Sequence, residues 1–168
     1  MTHQRTASYI GLGSNLDSNA GDRSYNLRAA LDAMRSVGRI GGISSVYETE
    51  AWGVEEEQPD YLNQVARLET ALGPTELVVA MLRIESDFGR ERSGRYSSRT
   101  IDLDVLLHGD AVIDEPGAQI PHPRLHERAF VLVPLAEIAP SVVHPVLGIT
   151  VAEILAGVDR SGVRLIGR

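Results

Sequence analysis

The stretch Arg99-Thr100-Ile101-Asp102-Leu103-Asp104-Val105-Leu106-Leu107 is the most informative part of the chain, because it is an apolar, strand-like run that carries two acidic residues. Side chains of a strand alternate between its two faces, with a rise of about 3.3 Å per residue. Asp102 and Asp104 therefore share one face, with Cα atoms roughly 6.6 Å apart. The residues on the other face, Ile101, Leu103 and Val105, are expected to face the core.

Two carboxylates on one face of a strand are costly unless a cation lies between them. Aspartate is disfavoured in strands, and like charges on one face repel each other. Oxygen-only ligands favour a hard cation, so Asp102 and Asp104 indicate a site for one or two Mg²⁺ ions. A solvated strand face is the other interpretation of this peptide.

The preceding segment, residues 83–99, is basic within an acidic chain. It carries five arginines against three acidic residues, whereas the whole chain has a net charge of −7. Residues 90–98 have neither helical nor strand periodicity and are rich in small polar residues, which is typical of a loop. Guanidinium groups bind phosphate oxygens bidentately, and Mg²⁺ bridges the same phosphates to carboxylates. The two features together suit a polyphosphate, although a solvated loop accounts for the arginines alone.

Length and composition predict one globular domain over residues 1–168, located in the cytoplasm. The chain is 43% hydrophobic and 23% charged, which suffices for one core. Residues 1–8 lack the apolar segment of a signal peptide, and no stretch approaches the ~18 apolar residues of a membrane span. We therefore expect no membrane partner.

The basic residues and the absence of cysteine exclude several kinds of chemistry. Without cysteine there is no disulfide, thiolate nucleophile or cysteine-bound metal. All 16 basic residues are arginine, which excludes a Schiff-base lysine and the lysine of a Walker A loop. The acidic net charge argues against a nucleic-acid partner.

Apolar periodicity predicts the remaining elements. A strand at residues 7–12 is expected to end in a glycine turn at 11–15, which lacks the third glycine of the dinucleotide-binding fingerprint. Further strands are expected at 40–48 and 61–70, with a twelve-residue binding loop between them. A hairpin return strand is expected at 108–113 and another short strand at 142–149. Helices are expected at 22–37, 74–88, 128–138 and 150–157.

The order β-α-β-β-α-β, with the Asp102–Asp104 peptide in the fourth strand, predicts an α+β fold of the ferredoxin-like type. Both helices then cover one face of an antiparallel sheet. The additional C-terminal helix and strand are expected on the opposite face, which gives a three-layer αβα arrangement.

Three residues suggest a slot for a flat heterocycle. Tyr61 and Asn63 share a strand face, and Phe130 is one of only two phenylalanines. Aromatic faces stack on rings of the purine or pterin type, and amides hydrogen-bond the ring edges. Ordinary core packing is the alternative for these residues. His122, held between two prolines, is a candidate donor to a phosphate.

Together these peptides resemble the 6-hydroxymethyl-7,8-dihydropterin pyrophosphokinase family, from residue 9 to about residue 140. The resemblance rests most on Arg-Thr-Ile-Asp-Leu-Asp at 99–104 and Gly-Arg-Glu-Arg at 89–92. It is carried further by Tyr-Ile-Gly-Leu-Gly-Ser-Asn-Leu (9–16), Gln-Pro-Asp-Tyr-Leu-Asn (58–63), Arg-Ile-Glu (83–85), Pro-His-Pro-Arg (121–124) and Arg-Ala-Phe (128–130).

The resemblance implies an enzyme of folate biosynthesis that transfers diphosphate from ATP to the pterin hydroxymethyl group and releases AMP. Its expected partners are these two small molecules, and we expect a monomer. Asp102 and Asp104 would hold two Mg²⁺ ions, and Arg90 and Arg92 would act with them in catalysis. The implied ATP site consists of Glu85, Arg90, Arg92, Arg99, Ile101, His122 and Arg128. The implied pterin site consists of Thr49, Tyr61, Asn63 and Phe130.

Two other functions use the same features. A two-metal phosphohydrolase or nuclease would use the aspartate pair with water as the nucleophile. A non-catalytic ferredoxin-like module would bind a small ligand without Mg²⁺. The acidic charge counts against a nuclease, and a binding module leaves the arginines beside paired carboxylates unexplained.

Overall fold

The computed structural model describes residues 4–18, 21–50, 59–88 and 100–168. Its strands are β1 (Thr6–Ser14), β2 (Arg39–Ile43), β3 (Val46–Thr49), β4 (Tyr61–Thr70), β5 (Asp102–His108), β6 (Ile113–Glu115), β7 (Ala118–Ile120) and β8 (Arg164–Gly167). Its α-helices are α1 (Arg23–Met34), α2 (Pro74–Asp87), α3 (Ala129–Ile138) and α4 (Val151–Ala156), and a 3-10 turn spans Leu125–Glu127. Within these described ranges, no helix has both the length and the apolar content of a membrane span.

The main sheet is antiparallel, with the strand order β5-β1-β4-β3-β8. β2 pairs with the C-terminal half of β4 and β3 with its N-terminal end, so the two short strands lie one after the other along the same edge. Counted as one interrupted strand, they give the ferredoxin-like order, with β5 as the fourth strand beside β1. The predicted fold class is confirmed.

Apolar side chains pack on both faces of the sheet, because its central strands are buried on both sides. The core beneath α1 and α2 includes Ile10, Leu12, Leu27, Met34, Leu77 and Leu103. The core beneath α3 and α4 includes Tyr9, Val65, Leu106, Leu132, Leu135 and Val151. The two cores make the molecule a three-layer αβα structure, as predicted.

The helices begin where the sequence supplies caps. The Asp22 carboxylate accepts a hydrogen bond from the backbone N–H of Tyr25 at 2.8 Å, at the start of α1. α2 begins with Pro74, whose missing N–H has no partner to lose in the first turn. In α4, Thr150 and Glu153 cap each other's backbone N–H groups, as the predicted capping box requires.

Two of the predicted boundaries are wrong on the N-terminal side of the sheet. Gly11 and Gly13 lie inside β1, which continues to Ser14, and they do not form the expected turn. The single strand expected at 40–48 is interrupted at Ser44, whose hydroxyl accepts from the backbone N–H of Val65 at 2.9 Å. Because this side chain takes the place of a backbone partner, the ladder breaks between β2 and β3.

Two predicted strands after β5 are also wrong. Residues 113–115 pair with 118–120 as a separate two-stranded ribbon and do not return along β5. The outer edge of β5 is instead contacted by the backbone N–H of His122, which donates to the Leu106 carbonyl oxygen at 2.9 Å. Residues 142–149 form a turn, with only an isolated bridge between Val143 and Thr150. In that turn the His144 Nδ1 accepts from two backbone N–H groups, at 3.1 and 3.2 Å.

β8 is a further strand that no sequence pattern predicts; it is four residues long and exposed throughout. It pairs with β3, and the guanidinium of Arg164 contacts the carboxylates of Glu48 and Asp60 at 2.9 and 3.0 Å. A short strand without a buried face has no alternating apolar pattern, so its sequence carries no strand signal.

A buried hydrogen bond joins β1 to β5 at the end of the sheet remote from Asp102. The hydroxyl of Ser8 lies 2.7 Å from the Nδ1 of His108, and both residues are almost completely buried. Burial lowers the pKa of His108 below its ordinary value, because the charged imidazolium would lose its hydration. The unfolded chain therefore binds a proton at this residue more readily than the folded chain.

We predict that acid destabilises the protein through His108. As the pH falls below about 6.5, protonation of the unfolded state costs at most about 1.4 kcal/mol per pH unit for this residue. The variant His108→Gln keeps a hydrogen-bonding group but does not titrate. Urea unfolding at pH 7.5, 6.5 and 5.5 should give a steeper loss of unfolding free energy for the wild type. Equal pH slopes for the two proteins would contradict the prediction; His122 and His144 titrate in both and cancel.

Candidate functional site

Strand register brings the predicted metal and heterocycle residues to one face of the sheet. Gly13 of β1 lies opposite Asp102 of β5 on one side and opposite Asn63 of β4 on the other. Tyr61 shares the face of Asn63 and lies opposite Thr49 of β3. Residues paired across a ladder point to the same face. Asp102, Asp104, Asn63, Tyr61 and Thr49 therefore lie on the face that α3 and α4 cover.

Two glycines form the floor between these groups. A Cβ at Gly13 would lie 3.5 Å from Tyr61 Cδ1 and 3.7 Å from Asn63 Oδ1, and one at Gly11 would contact Leu106. A larger side chain at residue 13 would thus fill the space between Asn63 and Asp102. This role of the two glycines was not predicted from the sequence. Their spacing of two within an apolar strand is the signal that they share a face.

The aspartate pair has the geometry that the alternation predicts. Asp102 and Asp104 are partly exposed, whereas Leu103 between them is buried in the opposite core. The buried Glu85 of α2 accepts a hydrogen bond from the Leu103 backbone N–H at 2.8 Å. This carboxylate satisfies an N–H on the outer edge of β5, and it holds the strand against α2.

An open cavity of about 650 Å³ lies beside the aspartate pair, between α2, β5 and the β6–β7 ribbon. Its lining includes Glu85, Asp102, Asp104 and His122. The volume is in the range of small-molecule sites in proteins, about 300–1,000 Å³. Ile101 is fully buried in the core beneath α1 and α2, so its predicted contact with ATP stays a prediction.

His122 is a neutral hydrogen-bond donor beside this cavity. Burial, and to a lesser extent the cation of Arg128, lower its pKa to about 4, against the opposing charge of Asp102. Its Nδ1 accepts a hydrogen bond from the Arg124 backbone N–H at 3.2 Å. The neutral ring therefore carries its proton on Nε2, which is free of that bond and can donate to an anion.

Asn63 and Thr49, which are predicted to bind the heterocycle, are buried polar residues. The Asn63 amide donates through Nδ2 to the hydroxyl of Thr49 at 2.8 Å, and both residues are about 6% exposed. That bond orients the amide, and its Oδ1 is the atom near Gly13. The amide edge is therefore held over the glycine floor by a neighbouring strand.

The start of α3 contributes the second aromatic residue. Arg128 is the N-cap residue, and its guanidinium carbon lies 5.6 Å from the centre of the Phe130 ring. At the other end of α3, the Glu137 carboxylate accepts hydrogen bonds from Ser45 and from the hydroxyl of Tyr47. Burial and this carboxylate raise the pKa of Tyr47 to about 12, so the phenol stays a donor. These bonds fix α3 against β3.

The structure thus brings seven of the predicted site residues together at one side of the sheet. Thr49, Tyr61, Asn63, Asp102 and Asp104 lie on the face that α3 and α4 cover. Glu85 and His122 lie along the outer edge of β5. Arg128 and Phe130 lie at the start of α3, and Arg128 acts electrostatically on His122. The predicted phosphate-binding arginines, Arg90, Arg92 and Arg99, lie outside the described residues. The hydrogen bond from Leu103 to Glu85 was not predicted.

Comparison with known proteins identifies the family. The model of the 7,8-dihydro-6-hydroxymethylpterin-pyrophosphokinase (HPPK) family matches residues 9–140. A protein of Methylorubrum extorquens named 2-amino-4-hydroxy-6-hydroxymethyldihydropteridine pyrophosphokinase is 40% identical over 160 residues, which are 94% of this chain and 97% of its own. The protein of that name from Haemophilus influenzae is 42% identical over 139 residues, 82% of this chain and 84% of its own.

Solved structures agree on the fold. Wild-type HPPK-DHPS of Plasmodium falciparum matches with a TM-score of 0.71 at 16% identity, over 91% of this chain and 44% of that chain. The chain thus spans less than half the length of that protein. The chain belongs to the 7,8-dihydro-6-hydroxymethylpterin-pyrophosphokinase family and is a pyrophosphokinase of folate biosynthesis.

Proposed function

We propose that this chain transfers diphosphate from ATP to the hydroxymethyl oxygen of 6-hydroxymethyl-7,8-dihydropterin and releases AMP, with two Mg²⁺ ions bound at Asp102 and Asp104. One observation carries the proposal. The aspartate pair and the Asn63 amide flank Gly13 on the same sheet face, so a ring held by Asn63 lies next to phosphates held at the aspartates.

The donor set of the aspartate pair fits Mg²⁺. Both ligands are carboxylates on one face of a strand, and Mg²⁺ prefers oxygen ligands in octahedral geometry. Among the described residues there is no group of three or more His, Asp or Glu side chains that would enclose a metal ion. Phosphate oxygens and water would then supply the remaining ligands, as in other phosphoryl-transfer sites. Bound Mg²⁺ would neutralise the triphosphate and polarise its oxygens.

The nucleotide would lie in the cavity between α2, β5 and the β6–β7 ribbon. His122 would donate from Nε2 to a phosphate oxygen, because its neutral ring has Nδ1 occupied. Arg128 would add a cation near the same phosphates. Arg90, Arg92 and Arg99 stay predictions from the sequence as further phosphate ligands, and Arg90 and Arg92 as groups required for rate.

The pterin would lie over the glycine floor. Tyr61 and Phe130 would stack on its two faces, and Asn63 would hydrogen-bond its amide edge with Oδ1 as the acceptor. The bond from Asn63 to Thr49 supports this role, because it holds the amide in one orientation before a ligand binds. Such preorganisation reduces the entropy lost on binding.

Catalysis in this arrangement consists mainly of positioning and charge neutralisation. The hydroxymethyl oxygen would attack the β-phosphorus in line, AMP would leave, and the hydroxyl proton would pass to solvent. No covalent intermediate on the protein is required. The monomeric state, the cytoplasmic location and the independence from nucleic acid stay predictions from the sequence, as does the extent of the domain over residues 1–168.

The proposal is tested by mixing the purified protein with MgATP, with and without the pterin, and following nucleotides and pterin by mass spectrometry. We expect AMP and diphosphorylated pterin, formed only when both substrates are present. ADP or phosphate released without the pterin would contradict the proposal and indicate a phosphohydrolase. Mg²⁺-independent binding without turnover would indicate a binding module.

We predict that Asp102→Asn and Asp104→Asn each lower kcat by about 10³-fold or more, because each removes charge that binds the metal ions. The fold should persist, since both side chains are partly exposed and one of two like charges is removed. AMP formation and thermal unfolding measure the two effects. Asp110→Asn is the control, because Asp110 is exposed in the turn beyond the other end of β5. Near-normal activity in either site variant would contradict the metal assignment.

We predict that Tyr61→Leu and Phe130→Leu each raise the KM for the pterin by about tenfold, through the loss of stacking. The KM for ATP should change by less than about threefold, because neither ring lines the cavity beside the aspartate pair. Tyr25→Leu is the matched control, since Tyr25 is an exposed aromatic residue on α1. Equal changes in both KM values would contradict the pterin assignment.

A further inference from the structure

The C-terminal end of β1 carries a buried polar network that has no role in the proposed reaction. The Ser14 hydroxyl donates to the Thr100 carbonyl oxygen at 2.5 Å, and the amide of the next residue, Asn15, donates to the Pro59 carbonyl oxygen at 3.2 Å. Ser14 and Asn15 are at most 1% exposed. Buried polar groups are costly unless they are bonded, so both contacts are firmly held.

Each of the two bonds joins β1 to a neighbouring strand just beyond the end of their backbone ladder. The β1–β5 ladder ends with the pair of Gly13 and Asp102, and the β1–β4 ladder ends with the pair of Ser14 and Leu62. Beyond these pairs, the Ser14 and Asn15 side chains take the place of backbone partners. Thr100 precedes Asp102 by two residues, and Pro59 precedes Tyr61 by two residues.

Two further contacts hold this junction. The fully buried Asn26 of α1 donates to the Leu16 carbonyl oxygen at 3.0 Å and lies 3.4 Å from the Ser14 hydroxyl. The Thr100 hydroxyl donates to the Phe88 carbonyl oxygen at 3.0 Å, so the end of α2 is joined to the start of β5. The Ser14 hydroxyl therefore accepts from Asn26 and donates to Thr100, with the Leu16 carbonyl oxygen as a longer contact at 3.4 Å.

We propose that Ser14 and Asn15 are positioning residues that set the offset between the two halves of the active site. Ser14 holds the start of the strand that carries Asp102 and Asp104. Asn15 holds the start of the strand that carries Tyr61 and Asn63. The proposal rests on the proposed function, because it assigns these two strands to the nucleotide and to the pterin respectively.

The test compares Ser14→Ala with Ser8→Ala. Both serines are fully buried in β1 and each makes a hydrogen bond to the β5 side of the sheet, but Ser8 contacts His108 at the remote end. We expect the two variants to lose similar thermal stability. Only Ser14→Ala should weaken Mn²⁺ binding in the presence of a non-hydrolysable ATP analogue, followed by electron paramagnetic resonance, by about tenfold, with a comparable loss of kcat.

Asn15→Ala should affect the pterin and not the metal ion. It should weaken binding of 6-hydroxymethylpterin, measured by fluorescence titration, by about tenfold while Mn²⁺ binding changes by less than about threefold. A purely structural role would weaken both ligands together or neither, and either result would overturn the inference. So would indistinguishable Mn²⁺ affinities for Ser14→Ala and Ser8→Ala. If the wild type does not bind the pterin, the proposed function is contradicted but the inference is not. The Mn²⁺ comparison would then decide the inference.

Discussion

The register of β1 between β4 and β5 fixes the positions of both the core and the proposed site. It places Gly13 between Asp102 and Asn63, and Gly11 between Asp104 and Val65. A slip of one residue in the β1–β5 ladder would turn the side chains of β5 to the opposite face. The aspartates would then point into the core beneath α1 and α2, where unpaired carboxylates are very costly. The apolar alternation of β5 thus also fixes the face of the sheet on which the aspartates lie.

The two faces of the sheet are divided between stability and chemistry. The face beneath α1 and α2 is apolar along β5, where Leu103 and Val105 are buried. The opposite face carries apolar residues at one end, such as Tyr9 and Leu106, and the site residues at the other. Because α3 is tied to β3 through Glu137, its first turn is held beside the polar end. The protein therefore exposes polar groups on a sheet whose other face is packed.

Buried polar side chains fix the strands that carry the site. Glu85 bonds the outer edge of β5, Asn63 is oriented by Thr49, and the Ser14–Asn15 junction bonds the starts of two strands. In the apolar surroundings of a core, such bonds are costly to leave unmade. They restrict each strand to one position relative to its neighbours. This explains why polar residues are found at buried positions close to the proposed site and not only within it.

Local sequence patterns predict most of the element types, the βαββαβ order, and the shared face of Asp102 and Asp104, because alternation and helical periodicity depend only on neighbouring residues. The resemblance carried by short peptides added the prediction of the site residues. Four features follow from the folded molecule alone: the floor formed by Gly11 and Gly13, the division of β2 from β3 at Ser44, the separate ribbon of residues 113–120, and β8. Each of these depends on a partner distant in the chain, such as Val65 for Ser44 or Glu85 for Leu103. Hydrogen bonds across strands and side-chain contacts between layers have no periodic signal in sequence, and folding alone brings their partners together.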